Sequence, residues 1–167
     1  GHDVTILPGA SVVIDETTAL VNSLILGDGS GTATLAMTNW SACLKAKYLN
    51  ILKGGVLTNG GAFTNEAFQT RVFVECTDLT VTEGGKIDLS QRGWSGSIYA
   101  ISKNNGYGPG RGRSNVGASH GGYGAMDTLD SARPERYGDA AQPETAGSGG
   151  GKGGNYGNNG NGGGVVR

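Results

Sequence analysis

One pattern recurs four times in the first half of this chain. An apolar-x-apolar stretch, a turn containing glycine and a second short apolar stretch occupy residues 4–14, 24–35, 49–57 and 79–89. Alternation at period two puts Leu49 and Ile51 on one face of a strand and Asn50 on the other, and Leu79 and Val81 flank Thr80 in the same way. Glycine at the turn allows a positive φ that a Cβ would oppose. The interval between copies is the constraint. Leu24 to Leu49 is 25 residues and Leu49 to Leu79 is 30. A hairpin meander repeats at about 8–12 residues. Two or three short strands in every ~20–30 residues instead suit one coil of a parallel β-helix, whose inward Leu, Ile and Val stack on the coil below.

The pattern predicts an all-β fold. Short parallel β-helix or solenoid-like coils are expected over residues 1–92. An ordered glycine-rich, polyproline-II-like region is expected over 93–167, continuous with the same domain. An antiparallel β-sandwich is the alternative, because short strands and glycine turns serve it too. A helix over residues 41–52 is disfavoured by β-branched flanks and by the repeat.

Glycine is unevenly spread. Of 33 glycines, 22 lie in residues 93–167 and 11 in the first 92. The second half has few large aliphatics and cannot build an ordinary core. A flexible linker is one reading. Against it, Trp94, Tyr99, Tyr107, Tyr123, Tyr137 and Tyr156 punctuate the glycines, and Pro109, Pro134 and Pro143 fix the chain direction at intervals. Without side chains in the way, runs of chain can approach closely and bond laterally through backbone N–H and C=O groups. No G-x-y period is present, which excludes collagen.

Leu79 to Gly85, Ile87 to Ser90, Gly93-Trp94, Gly117 to Gly122, Tyr137-Gly138, Pro143, Gly147 to Gly151 and Gly162 to Arg167 together carry a resemblance. This stretch resembles the glycine-rich blocks of large secreted, β-helix-like surface proteins. In composition it is also similar to the receptor-binding tips of some phage tail-fibre adhesins. The resemblance implies an extracellular fibrous or adhesive role with no defined catalytic signature.

The formal charge is −1, with 13 basic and 14 acidic residues interspersed, so nothing favours nucleic acid or an anionic membrane as partner. No apolar run approaches the ~20 residues of a membrane helix. The chain opens at Gly1 without Met and stops at Val165-Val166-Arg167 as if entering another strand, so the natural polypeptide is expected to continue.

Candidate sites are few. Cys43 and Cys76 could form one disulfide in an oxidising compartment, or be two small buried residues in neighbouring strands. Asn39-Trp40-Ser41 is an N-glycosylation sequon that has meaning only in a eukaryote. Trp40, Trp94 and Tyr107 are candidates for carbohydrate contact, with core or capping roles equally open to each. His120, beside Ser119, lacks the partners of a metal site or a triad, and its ring is expected to hydrogen-bond neighbouring glycine backbone and so order the turn. Asp28 lacks the further ligands of a calcium loop and is expected in a turn. Asp127, Asp130, Glu135 and Asp139, with Arg133 and Arg136 among them, are expected to form local ion pairs rather than a calcium site. Asp78, Glu83 and Asp88 are not paired by the sequence as a glycosidase requires.

No catalytic, cofactor-binding or metal-binding residue is therefore expected. The sequence points first to an extracellular, self-associating homo-oligomer or filament subunit. A glycan- or receptor-binding adhesin module is the alternative, and a non-catalytic fragment of a carbohydrate-active β-helix enzyme a third reading.

Overall fold

In the computed structural model, residues 1–98, 104–125, 133–142, 144–153 and 159–167 are described; Tyr99, Asp127, Asp130, Pro143 and Tyr156 lie outside them. The fold is all-β. Eight strands run β1 (Asp3–Ile6), β2 (Ser11–Ile14), β3 (Val21–Leu26), β4 (Ala33–Met37), β5 (Leu44–Ile51), β6 (Gly55–Asn59), β7 (Val74–Val81) and β8 (Lys86–Ile87). Among the described residues there is no α-helix, only a 3-10 turn over Glu66–Phe68, capped by Asn65. Residues 44–51, where a helix was disfavoured, are strand β5.

Odd-numbered strands form one four-stranded sheet, in the order β1-β3-β5-β7, and even-numbered strands form the other, β2-β4-β6-β8. Every pairing between these strands is parallel, so the antiparallel pairing of the sandwich alternative is absent among them. The physical reason is the connection length. Parallel neighbours need a crossover, and here the next strand, in the other sheet, supplies it.

The register reproduces the sequence repeat. Val4, Leu24, Leu49 and Leu79 stand in one column across the first sheet, and Val12, Leu35, Leu57 and Ile87 in one across the second. Leu24, Leu26, Leu35, Leu49, Ile51 and Leu57 are buried and make the core. Strict alternation fails at one place. In β5 the buried residues are Leu44, Ala46, Leu49 and Ile51, with both Lys47 and Tyr48 exposed between them. The ladder skips the aligned positions Asn22, Lys47 and Thr77 in three successive strands. The first sheet therefore changes face in step along all three.

Turns stack as the strands do. Ala10, Gly55 and Gly85 donate backbone bonds of 2.8–3.1 Å to Leu7, Leu52 and Thr82, three residues back in each case. At the third position of such a turn Gly54 has φ +80°, and its missing Cβ would run into the carbonyl oxygen of Gly31 in the neighbouring turn.

The chain divides into two compact units. Gly1–Gly60, Thr70–Asp88 and Val166–Arg167 make the first; Gly61–Gln69 and Leu89–Val165 make the second. In the second unit the glycine-rich runs are held laterally. Gly93 N donates to Gly162 O (2.8 Å), Trp94 N to Gly147 O (2.9 Å), Gly162 N to Trp94 O (2.8 Å), Ser97 N to Gly150 O (2.9 Å) and Gly150 N to Gly160 O (2.9 Å). A Cβ on Gly162 would collide with the carbonyl of Gly147, so the spacing of these runs excludes any side chain there. Phe63, Trp94 and Ala146 form a small buried apolar cluster, with Phe63 and Trp94 edge to face at 4.9 Å.

Candidate functional site

The first unit has an open edge at β1 and β2. The aliphatic columns begin there without a covering layer. Between the two strands an apolar hollow of about 550 Å³ opens, lined by Val4, Ile6, Val12, Ile14, Leu24 and Leu35 among others. Val12 and Val13 are 38% and 58% exposed. β1 and β2 each have one strand partner, so the other edge of each presents bare N–H and C=O groups.

The same columns end at β7 and β8. Leu79 and Val81, in register with the buried Leu49 and Ile51, are 47% and 44% exposed. The backbone of Val166 and Arg167 covers the β7 side only at Val72 to Val74. One column, Asp3–Ser23–Tyr48–Asp78, carries a carboxylate at each end. Lys45 and Glu75 form a cross-strand ion pair at 3.2 Å, both partly exposed and so weakly stabilising.

No family model, curated protein or solved structure matches the chain.

Cys43 and Cys76 are free thiols, Cys43 buried and Cys76 half-buried, so of the two readings open to them the disulfide is the one not formed. The register places Cys76 opposite Ala46, three residues along from Cys43. At about 3.3 Å per residue the two stand roughly 10 Å apart along the strands, beyond the ~7 Å reach of a disulfide. Burial is the main cause that pushes both thiols above their ordinary pKa. The nearby carboxylates of Glu75 (for Cys43) and Asp78 (for Cys76) add to it.

Asn39 is exposed in the turn between β4 and β5, where its Oδ1 accepts bonds of 3.2 Å from the N–H and the Oγ of Ser41. Trp40 is half-buried, and one face of its ring carries the Arg71 guanidinium at 4.8 Å. Arg71 Nε also donates to the Trp40 carbonyl at 2.8 Å. Trp94 is only 7% exposed, so its ring is chiefly a core element of the second unit rather than an open platform; Tyr107 packs half-buried against the same cluster. The structure thus brings Trp94 and Tyr107 together.

The His120 ring bonds Thr145, 25 residues away, and not the neighbouring glycine backbone expected of it. Its Nε2 lies 3.1 Å from both the carbonyl and the Oγ1 of Thr145, and its ring meets Tyr137 edge to face at 4.7 Å. Tyr137 in turn donates to the Ala146 carbonyl (2.6 Å) and accepts from Ser148 Oγ (2.8 Å). Burial, partly offset by Ser148, raises the pKa of its phenol. Asp28 closes an Asx turn by accepting from the N–H and Oγ of Ser30 at 2.8 and 2.7 Å, and these two bonds lower its pKa.

The expected ion pairs around Arg133 and Arg136 do not form among the described residues. Both guanidiniums instead stand over the Tyr123 ring, at 5.6 and 4.6 Å. No group of three or more His, Cys, Asp or Glu that could hold a metal ion occurs among the described residues. Nor is any helix there long and apolar enough to cross a membrane.

Sequence reasoning missed three participants. Phe63, which anchors the Trp94 cluster, follows a Gly-Gly-Ala stretch that disguises it as loop. Arg71 was not linked to Trp40, 31 residues away. The β1 and β2 hollow needed the register, because Val4 and Val12 look like any inward residue in the sequence.

Proposed function

We propose that this chain is an extracellular structural subunit whose four repeats form a short parallel β-helix, and that copies stack head to tail into a fibril or layer. Three features support the β-helix: strands that alternate between two parallel sheets, aligned inward columns, and stacked turns. In the second unit, the glycine runs bonded side by side favour a polyglycine-like packing element.

One observation carries the assembly. The aliphatic columns run out into open apolar surface at both the β1/β2 edge and the β7/β8 edge of the first unit. A second copy is the occupant with matching chemistry. Continuing the internal register would set Leu79 beside the next copy's Val4, Val81 beside its Ile6, and Ile87 beside its Val12. Such a contact is heterologous and does not close, so it propagates as a line. The residues are partly exposed, and burying them fully stabilises by something on the order of 5 kcal/mol in total. That is near the lower end of the roughly 4–15 kcal/mol cost of association. Backbone bonds between edge strands must supply the surplus, at about 0.5–1.5 kcal/mol each. Assembly is therefore weak at each joint and strongly concentration-dependent.

Engineered cysteines test the register. In a background in which Cys43 and Cys76 are replaced by Ala, Val4→Cys and Leu79→Cys variants are mixed and oxidised. Adjacent inward residues of parallel strands lie about 4.8 Å apart, within disulfide range. A cross-linked pair should form in the mixture and in neither variant alone. Equal cross-linking in all three samples, or none in the mixture, would overturn the register.

A further inference from the structure

We propose that the second unit carries a separate binding cleft for a glycan built of hexopyranose units. The described residues that line the cleft all belong to the second unit, whereas the assembly edges belong to the first. The cleft measures about 680 Å³ and is lined by Thr64, Glu66, Trp94, Asn105, Tyr107 and Arg111, together with Asn104, Pro109 and glycine backbone. That volume lies in the usual range of small-ligand sites, roughly 300–1,000 Å³.

Its lining is of two kinds. The aromatic part is held in place. Tyr107 N donates to Ser95 O and Gly149 N donates to Tyr107 O, both at 2.9 Å, while Trp94 N donates to Gly147 O at 2.9 Å. Gly108, at φ +98°, lies so close to the Trp94 ring that a Cβ would meet it at 2.7 Å, which fixes the indole from that side. The Tyr107 ring is the aromatic surface left half-exposed.

The polar part is uncommitted. The side chains of Thr64, Glu66, Asn105 and Arg111 are exposed and make no hydrogen bond or ion pair with one another or with any other described residue. Together they offer a hydroxyl, a carboxylate, an amide and a guanidinium.

This mixture selects a ligand class. A sugar hydroxyl is both donor and acceptor, so it uses an amide, a carboxylate and a guanidinium around one ring. The apolar C–H face of a pyranose packs on an aromatic side chain. A phosphate or polyanion is poorly served, because Arg111 shares the cleft with the Glu66 carboxylate. A lipid would require an apolar lining throughout.

The test is a printed array of neutral and acidic hexopyranose oligosaccharides, probed with the full chain and followed by calorimetry on the highest-scoring glycan. Asn105→Ala, Arg111→Ala and Glu66→Gln are compared with wild type. These side chains are exposed and unpartnered, so thermal melting should stay unchanged and serve as the control for folding. Loss of a hydrogen bond to a charged group predicts about a tenfold or greater weakening for Arg111→Ala. Binding of no oligosaccharide by the wild type, or equal binding by wild type and all three variants, overturns the proposal.

Discussion

Leu24 and Leu49 stand directly opposite each other in β3 and β5, although 25 residues of chain separate them. Leu79 continues the same column, but at its open end. Position in the column, not residue type, sets what each leucine contributes. Leu49→Ala should destabilise the first unit by about 2–5 kcal/mol, as expected for a buried cavity. Leu79→Ala should cost well under half of that in dilute solution, yet weaken self-association. Urea unfolding of dilute protein, paired with light scattering at high concentration, separates the two effects.

Turn glycines give a graded comparison. Gly9 and Gly54 have φ +83° and +80°, but a Cβ at Gly9 meets nothing within 4 Å, whereas one at Gly54 meets the Gly31 carbonyl. Gly9→Ala should cost about 1–2 kcal/mol from the left-handed conformation alone. Gly54→Ala should cost clearly more, because the neighbouring turn must move. Equal denaturation midpoints for the two variants would remove the steric argument.

The second unit offers a similar pair. Gly162 is packed against the Gly147 carbonyl, whereas a Cβ at Gly163 would meet nothing within 4 Å. Gly162→Ala should speed amide hydrogen exchange at Gly93, Trp94 and Gly147, and Gly163→Ala should leave it near wild type. If both variants exchange alike, the lateral bonding does not depend on side-chain exclusion.

Tyr137 supplies a pH dependence. Burial raises its folded pKa above the ordinary value of about 10.0. Between the unfolded and folded pKa the unfolded chain binds fewer protons, so stability falls as pH rises through that window and is flat with respect to this group below it. Tyr137→Phe should remove that alkaline slope. It should also cost about 1 kcal/mol at neutral pH through the lost bonds to Ala146 and Ser148. Thermal melts between neutral pH and pH about 11 give both readings.

The sequence displayed the column residues because inward positions of a repeat must resemble one another, and the spacing of Leu24, Leu49 and Leu79 carries over directly into the register. It concealed the change of face at Asn22, Lys47 and Thr77, because that step breaks the period-two pattern on which the strand assignment depends. It also concealed the removal of Gly61–Gln69 into the second unit, since nothing in that short stretch resembles the glycine-rich half except its glycine. The Trp94 environment was hidden for another reason. Its neighbours Phe63 and Ala146 lie 31 and 52 residues away in chain segments without a repeat to align them.

Head-to-tail assembly is testable by sedimentation velocity across a concentration series at two ionic strengths. Continuing the register would place Asp78 beside the next copy's Asp3, one like-charge pair against three apolar contacts. Salt screens that repulsion. The sedimentation coefficient should therefore rise with concentration, rise further in high salt, and rise in low salt for Asp78→Asn. A chain that sediments as a monomer at every concentration and at both ionic strengths would contradict the proposal.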